Sequence, residues 1–406
     1  MINSSQFNIK SMPKPDMQRQ QQLAEWLHSL FPNEQYTFAP ASADASFRRY
    51  FRVTFQNHEA IDGQASHRGQ PDMQGVAQRV GSLIVMDAPP QLEDCRPFLH
   101  IGKLFEDAGT HVPHVYAQDL EQGFLLLSDL GNTTYLQALR TGDPGNAREL
   151  YGAATDALIN IQLASRKNEL PHYGEALLLR EMRLFPEWYI AKHLNVTLSD
   201  AQSAKLETVF ARILANNLAQ PRVYVHRDYH SRNLMVVDPT RWGGARGCGR
   251  FDQADNPAIG SLREERVMAA TQPNPGILDF QDAVYGPITY DLASLFKDAY
   301  IRWEEAEIID WLVRYWENAR KAGLPVHNDF ADFYRDYEWM GVQRHLKVLG
   351  IFARLYHRDG KDGYLKDLPL VMSYLRAACA RYIDLKPLLN LLDVLEPHIK
   401  QEGYTF

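Results

Sequence analysis

The chain has 406 residues, of which 45% are hydrophobic, and a formal net charge of −7 at pH 7. That length predicts two packed domains, and the acidic balance argues against nucleic acid as the main partner. Apolar runs are too short to span a bilayer, and Cys95, Cys248 and Cys379 are too widely spaced for a disulfide framework or zinc site. We therefore expect a cytoplasmic protein with no membrane partner.

The first 128 residues predict a small β-rich domain. Its expected elements are a helix over about 16–30, strands over 36–40, 47–55, 82–86 and 124–127, and a helix over about 94–108. Six small residues, Ala41 to Ser46, separate the first two strands. Such a turn can lay backbone N–H groups over nucleotide phosphates, although an ordinary hairpin would have the same pattern. Residues 57–81, rich in Gly, Gln, His and Asp, predict an exposed insertion.

Residues 129–406 predict a larger, mainly helical domain. We place the boundary and a nucleotide hinge at Leu127 to Gly131, where a short apolar strand ends. Helices follow over about 147–164 and from Ser199-Asp200 to Leu218, and again over most of the chain after residue 290. Two short strands, near 223–225 and 234–237, flank a polar loop. Residues 238–275 predict a surface insertion.

Two stretches of the second domain carry the chemistry. The first is His226-Arg227-Asp228-Tyr229-His230-Ser231-Arg232-Asn233, and the second is Gly276-Ile277-Leu278-Asp279-Phe280-Gln281-Asp282. A phosphotransferase needs a carboxylate to accept the proton of an attacking hydroxyl, which is the role predicted for Asp228. It also needs hard oxygen ligands for Mg²⁺, and Asn233 and Asp279 supply them. Although a His-x-Asp pair alone would be weak evidence, the fixed Asp-to-Asn spacing and the downstream apolar-Asp-aromatic triplet make the pattern specific.

These stretches resemble the aminoglycoside phosphotransferase and choline-kinase group, whose loop reads H-x-D-x-H-x-x-N. Four further stretches, 44–52, 85–90, 184–189 and 343–350, are similar to the bacterial anomeric sugar kinases of cell-wall recycling, and the resemblance spans about residues 20–400. It implies an α+β, two-lobed protein-kinase-like fold with a small β-rich N-lobe and a larger mainly helical C-lobe. It also implies ATP and Mg²⁺ as cofactors, with transfer of the γ-phosphate to the anomeric hydroxyl of N-acetylmuramate or N-acetylglucosamine. The oligomeric state stays open, a monomer included.

Within the resemblance His226 is a structural post of the loop. Asp291, at the start of the next helix, is a cap that also holds this loop. The group usually carries a Lys or Arg on its third strand, which is missing from Ser82 to Met86. Arg48 or Arg49 is the predicted replacement. The remaining residues predicted to bind the nucleotide are Ala43, Asp44, Ala45, Ser46, Ser128 and Asp129.

The acceptor pocket is predicted from aromatic and basic residues. Aromatic faces suit a sugar ring, and Arg or Lys suits the lactyl carboxylate of N-acetylmuramate. The predicted residues are Arg183, Glu187, Trp188, Tyr189, His230, Arg232, Arg344 and Lys347. Arg344 and Lys347 share a helix face because they are three residues apart, although a solvated basic patch would show the same spacing.

Two other functions fit parts of the pattern. A small-molecule kinase of the same fold that acts on an aminoglycoside or an amino alcohol would need acidic clusters where Arg344 and Lys347 lie. A catalytically inactive nucleotide-binding protein would account for the missing third-strand cation. The joint presence of Asp228, Asn233 and Asp279 argues against inactivity.

Overall fold

A computed structural model describes residues 14–43, 47–56, 73–140, 144–237 and 274–396. These residues group into two compact units. The first unit contains residues 14–100 and 113–130, and the second contains residues 101–112, 131–237 and 274–396. The predicted domain boundary at residue 128 places the segment 101–112 in the first domain, whereas the structure groups this segment with the second unit. The predicted turn residues Asp44, Ala45 and Ser46, and most of both predicted insertions, lie outside the described residues.

The first unit contains a five-stranded antiparallel sheet. Its strands are β1 (Tyr36–Ala43), β2 (Arg49–Phe55), β3 (Ser82–Asp87), β4 (Val115–Asp119) and β5 (Phe124–Ser128), in the order β1-β2-β3-β5-β4. The helices of this part of the chain are α1 (Lys14–Leu30), α2 (Met73–Arg79) and α3 (Arg96–Asp107). Because side chains alternate along a strand, Phe51 and Val53 of β2 point to one face of the sheet, where they pack in a core with Leu23 and Leu27 of α1.

Helix α2 occupies part of the predicted insertion. Val76 and Ala77 of this helix are buried in the same core as β2 and α1. The prediction of an exposed insertion is therefore wrong for residues 73–79. A helix of seven residues is too short to show a clear 3.6-residue period, and its Gln and Gly neighbours mask the apolar pair.

The second unit is mainly helical. Its helices are α4 (Tyr135–Leu139), α5 (Pro144–Leu163), α6 (Glu175–Leu184), a π-helix (Phe185–His193), α7 (Asp200–Ala219), α8 (Tyr290–Phe296), α9 (Glu305–Lys321), α10 (Phe330–Asp359), α11 (Leu368–Arg381) and α12 (Lys386–Leu395). Strand β6 (Arg222–Val225) pairs with β9 (Val284–Pro287), and β7 (Leu234–Met235) pairs with β8 (Gly276–Ile277). Ser199 caps α7 in a capping box with Gln202, as its sequence predicts.

Helix α10 is the long central helix of the second unit, and residues 337–350 of it are buried without interruption. Its Gly350 lies against the end of α6: a Cβ atom added at this position would be 2.5 Å from the Cβ atom of Leu184. Only glycine permits this approach, so α10 and α6 pack directly against each other beside the catalytic loop. Within the described residues no helix is both long enough and apolar enough to cross a membrane.

Candidate active site

The catalytic loop, residues 226–233, connects β6 to β7, and strand pairing brings the second stretch beside it. Leu234 of β7 pairs with Ile277 of β8. One residue further, the backbone N–H of Leu278 donates to the carbonyl of Asn233 at 2.9 Å. Asp279 follows immediately, with a φ of 64°. This register therefore places the carboxylate of Asp279 next to Asn233, although 46 residues separate them in the chain.

Asn233 connects the predicted base to the predicted metal ligand. Its Nδ2 donates to the backbone carbonyl of Asp228 at 3.0 Å and lies 3.3 Å from Oδ2 of Asp279. Oδ1 of Asp279 accepts from Nε2 of Gln281 at 2.8 Å. An amide oxygen and a carboxylate fit Mg²⁺, which commonly takes one or two protein ligands and completes its shell with phosphates and water. In the described ranges no group of three or more His, Cys, Asp or Glu side chains forms a metal site, so this pair is the candidate.

His226 holds the loop from inside the unit. Its Nε2 lies 3.0 Å from the carbonyl of Leu278, and its Nδ1 accepts the backbone N–H of Asp228 at 3.2 Å. Burial lowers the pKa of His226 to about 4, so the ring is neutral, donating at Nε2 and accepting at Nδ1. These contacts are the ones that a structural post makes, and they involve no reacting group.

Asp291 accepts two backbone N–H groups of the same loop. The N–H of His226 donates to Oδ2 at 2.7 Å, and that of Arg227 donates to Oδ1 at 3.0 Å. Burial raises the pKa of Asp291 to about 7. Arg227 has a φ of 78°, a conformation that costs free energy in a residue with a side chain. Asp291 therefore stabilises the strained residue that precedes Asp228.

Glu181 of α6 is a central residue that the sequence analysis missed. Its Oε1 accepts from Nη2 of Arg227 at 2.6 Å and lies 3.3 Å from Nζ of Lys347. Its Oε2 accepts from the hydroxyl of Tyr173 and from Nε2 of Gln343. Burial raises the pKa of Glu181, but the positive charges of Lys347 and Arg227 lower it by more, so Glu181 is an ionised carboxylate. Glu181 stands just before a stretch matched to the sugar kinases, but no local spacing links it to Arg227.

The cations that pair with Glu181 also change the pKa of the candidate base, Asp228. Burial favours the neutral acid of Asp228, but its surroundings, the positive charge of Lys347 foremost, then the ring of His230 and the positive charge of Arg227, lower its pKa below the usual value. Asp228 is therefore ionised at neutral pH, as a proton acceptor must be.

The predicted acceptor residues divide into two sets. Arg183 is exposed and pairs with Glu207 of α7 at 3.2 Å, while Tyr189 is buried and donates to Glu396. Glu187 is exposed and Trp188 is half-buried. The polar groups of Arg183 and Tyr189 are thus paired with residues outside the loop, and their role in binding the acceptor stays a prediction.

The second set surrounds the catalytic loop. Arg344 and Lys347 are 4% and 6% exposed, so they do not form a solvated patch. Nζ of Lys347 donates to the hydroxyl of Tyr290 at 2.9 Å as well as pairing with Glu181. The Cζ atom of Arg232 lies 3.5 Å from the ring centre of Tyr300, whose ring also meets that of His230 at 5.4 Å.

In the first unit, the predicted phosphate-binding arginines have carboxylate partners. Arg49 pairs with the fully buried Asp87 at 2.6 Å, and Arg19 of α1 binds the same carboxylate at 2.7 Å. Arg48 lies 3.9 Å from Glu93. Arg49 and Arg19 thus share one buried carboxylate, and the role of Arg49 as the replacement for the missing cation stays a prediction.

The neighbouring Arg52 was not predicted. It lies on the other face of β2, directly opposite Ile84 of β3, and makes a bidentate ion pair with Asp129 at 2.6 and 3.0 Å. Asp129 also accepts from the hydroxyl of Ser82 at 2.6 Å, and the hydroxyl of Ser128 accepts the N–H of His114 at 2.9 Å. Arg52 is therefore, like Arg49, a partly exposed arginine with a carboxylate partner, and it is a further candidate for the phosphate contact.

The fold and the loop define a class of protein. The chain matches the phosphotransferase enzyme family over residues 37–245 and 267–330. It belongs to this family, and the predicted resemblance is confirmed.

Curated relatives cover nearly the whole chain. A protein of Neisseria meningitidis serogroup B, named N-acetylmuramate/N-acetylglucosamine kinase, is 42% identical and aligned over 96% of this chain and 100% of its own length. A protein of Pseudomonas aeruginosa with the same name is 44% identical over 93% of this chain and 97% of its own length.

Solved structures confirm the predicted kinase-like fold. An ethanolamine kinase of Plasmodium vivax superposes with a TM-score of 0.52 over 85% of this chain and 82% of its own, at 11% identity. A choline/ethanolamine kinase family protein of Mesorhizobium loti superposes with a TM-score of 0.53 over 93% and 99%, at 12% identity. At such identities the likeness concerns the fold alone.

Proposed function

We propose that this protein is a sugar kinase that transfers the γ-phosphate of ATP to the anomeric hydroxyl of N-acetylmuramate and N-acetylglucosamine. The observation that carries the proposal is the connection of Asp228, Asn233 and Asp279 through the amide of Asn233. The names of relatives at 42–44% identity, aligned over nearly their full length, support these two acceptors.

In this mechanism Asp228 orients the anomeric hydroxyl and accepts its proton as the phosphoryl group arrives. Asn233 and Asp279 would hold Mg²⁺, which neutralises phosphate charge when bound. His226 and Asp291 keep the loop in shape. The product is a sugar 1-phosphate, a substrate for an enzyme that forms nucleotide sugars.

An aminoglycoside or amino-alcohol kinase is disfavoured because two buried cations lie near the loop: the charge of Lys347 acts on Asp228, and that of Arg344 acts on His230. A cationic acceptor would be repelled there. The free, buried thiols of Cys95 and Cys379 are compatible with the proposed cytoplasmic location.

The test is a reaction with [γ-³²P]ATP, Mg²⁺ and each sugar. Label should enter both sugars, and the product should lose its reducing end because the anomeric oxygen carries the phosphate. Asp228→Asn should lower kcat by about 100- to 10,000-fold, the usual contribution of a general base. The exposed Asp310 of α9, paired with Arg314, offers the control Asp310→Asn, which should leave kcat unchanged. Absence of transfer to both sugars, or full activity of Asp228→Asn, would contradict the proposal.

A further inference from the structure

Arg344 differs from the other buried cations around α10. Lys347 pairs with Glu181 at 3.3 Å, and Lys297 pairs with Glu338 at 3.4 Å. Arg344 is 4% exposed, yet in the described part of the chain its side chain has no hydrogen bond or ion pair, and its Nη1 is completely enclosed. A buried guanidinium without an anion is costly unless a ligand supplies the charge.

Other enclosed polar atoms without a partner lie on the adjacent catalytic loop. Among the described residues, Nδ1 of His230 and Oγ of Ser231, two and three residues after Asp228, have no hydrogen-bond partner. Burial lowers the pKa of His230, the carboxylates of Asp298 and Asp228 oppose that effect, and the charges of Arg344 and Arg232 act in the same direction as burial, so Arg344 is close enough to affect this loop residue. Arg344 therefore lies near two consecutive loop residues that each carry an enclosed polar atom without a partner, and these residues follow Asp228 in the loop.

The anion that would fit is a carboxylate on the acceptor. Asn233 and Asp279, with Mg²⁺, account for the phosphates of the nucleotide. N-Acetylmuramate differs from N-acetylglucosamine by a lactyl ether that ends in a carboxylate, and a guanidinium can bind a carboxylate through two parallel hydrogen bonds. The transferred phosphate is the other possible source of negative charge near Arg344, and both sugars would depend on it equally.

We infer that Arg344 binds the lactyl carboxylate of N-acetylmuramate and thereby determines the preference of this kinase between its charged and its uncharged acceptor. This inference rests on the proposed function. Arg232, whose guanidinium stacks on Tyr300, also acts electrostatically on His230 and would contribute a second positive charge.

The test compares kcat/KM for the two sugars in Arg344→Gln. We expect a loss of about 100-fold for N-acetylmuramate, the size typical of an unpaired charged partner, and a change of less than about threefold for N-acetylglucosamine. Arg344→Lys keeps the charge but not the paired geometry, so it should lose about tenfold with N-acetylmuramate only. Arg335→Gln, an exposed arginine of the same helix, is the matched control and should change neither value.

Thermal melting separates a binding role from a structural one. Without ligand, Arg344→Gln should melt at or above the temperature of the wild type, because an unpaired buried charge is removed. N-Acetylmuramate should raise the melting temperature of the wild type but not that of the variant. An equal loss of kcat/KM for both sugars, or unchanged activity with N-acetylmuramate, would overturn the inference while leaving the proposed function intact. A wild type inactive with both sugars would overturn the two together.

Discussion

Arg227 shows how single residues maintain the candidate site. Its backbone has a positive φ, its N–H binds Asp291, and its guanidinium binds Glu181. Burial and the carboxylate of Glu181 have opposite effects on the pKa of Arg227, and the carboxylate prevails and raises it. The residue before Asp228 is thus fixed at both its backbone and its side chain.

We predict that Glu181→Gln impairs catalysis more than nucleotide binding. The change leaves Arg227 and Lys347 without their shared carboxylate, which should cost about 3–5 kcal/mol of stability, as for a broken buried ion pair. Asp228 would lose its alignment, so kcat should fall at least about tenfold while KM for ATP stays nearly constant. Steady-state kinetics and urea unfolding measure both effects. Glu207→Gln, which breaks the exposed pair with Arg183, is the control, and a normal kcat in Glu181→Gln would refute the role.

Asp291 predicts a pH dependence of stability. Its pKa is raised from 3.8 to about 7 in the folded protein, so between these values the folded state binds more protons than the unfolded state. Stability should therefore fall as the pH rises from about 4 to about 7, by up to about 4 kcal/mol. The Asp291→Asn side chain cannot ionise, so the variant does not share this loss of stability. The difference in free energy of unfolding between the wild type and the less stable variant should therefore shrink as the pH rises from about 4 to about 7. Urea unfolding midpoints of both proteins at several pH values test this prediction. If the midpoints of the wild type and the variant change with pH in parallel, Asp291 is not the source of the pH dependence.

At the scale of elements, the contact between α6 and α10 connects Glu181 to Lys347 and Gln343. We predict that Gly350→Ala separates these helices, because the new Cβ atom would overlap Leu184. The expected cost is about 1–3 kcal/mol, as for other overpacked sites. Gly152→Ala in α5 is the matched control, since nothing lies within 4 Å of its added Cβ atom. That change should stabilise the protein by about 0.5–1 kcal/mol, and similar melting temperatures for the two variants would count against the packing argument.

Because side chains alternate along strand β2, two of its arginines lie in different surroundings. Arg49 and Arg52 are three residues apart, so they lie on opposite faces of the sheet. Arg49 joins Arg19 and Asp87 on the face that α1 covers, whereas Arg52 binds Asp129 on the other face. The sequence alone could identify both arginines, but only the position of α1 decides which of them shares its carboxylate with Arg19.

At the scale of the whole molecule, the segment 101–112 belongs with the second unit. The ring of Phe105 stacks on His226 at 6.2 Å and contacts Phe280 at 5.9 Å, and the carbonyl of His111 accepts the N–H of Ile277 at 2.7 Å. Helix α3 therefore supports both the catalytic loop and the metal-binding stretch.

Phe105→Ala should consequently weaken the active site as well as the core. The side chain is completely buried, so its loss should cost about 3–5 kcal/mol. Because His226 and Phe280 lose a packing partner, kcat should also fall, and calorimetry with steady-state kinetics would show both changes. Leu92→Ala, at a residue 57% exposed, should change neither quantity. A destabilised but fully active Phe105→Ala would limit the role of α3 to folding.

The sequence by itself determined the kinase-like fold class, the alternating strands and most helices, and it predicted the catalytic loop and the metal pair. Each of these depends on residues close in the chain, where the spacing between Asp228 and Asn233 or the pattern of apolar residues already restricts the geometry. Only the tertiary structure decided that Glu181 meets Arg227 and Lys347, that Arg183 turns to Glu207, and that Arg344 is buried without a hydrogen bond or ion pair to any other described residue. The physical reason is that ion pairing and burial depend on which distant helices pack together, and no local spacing specifies that choice.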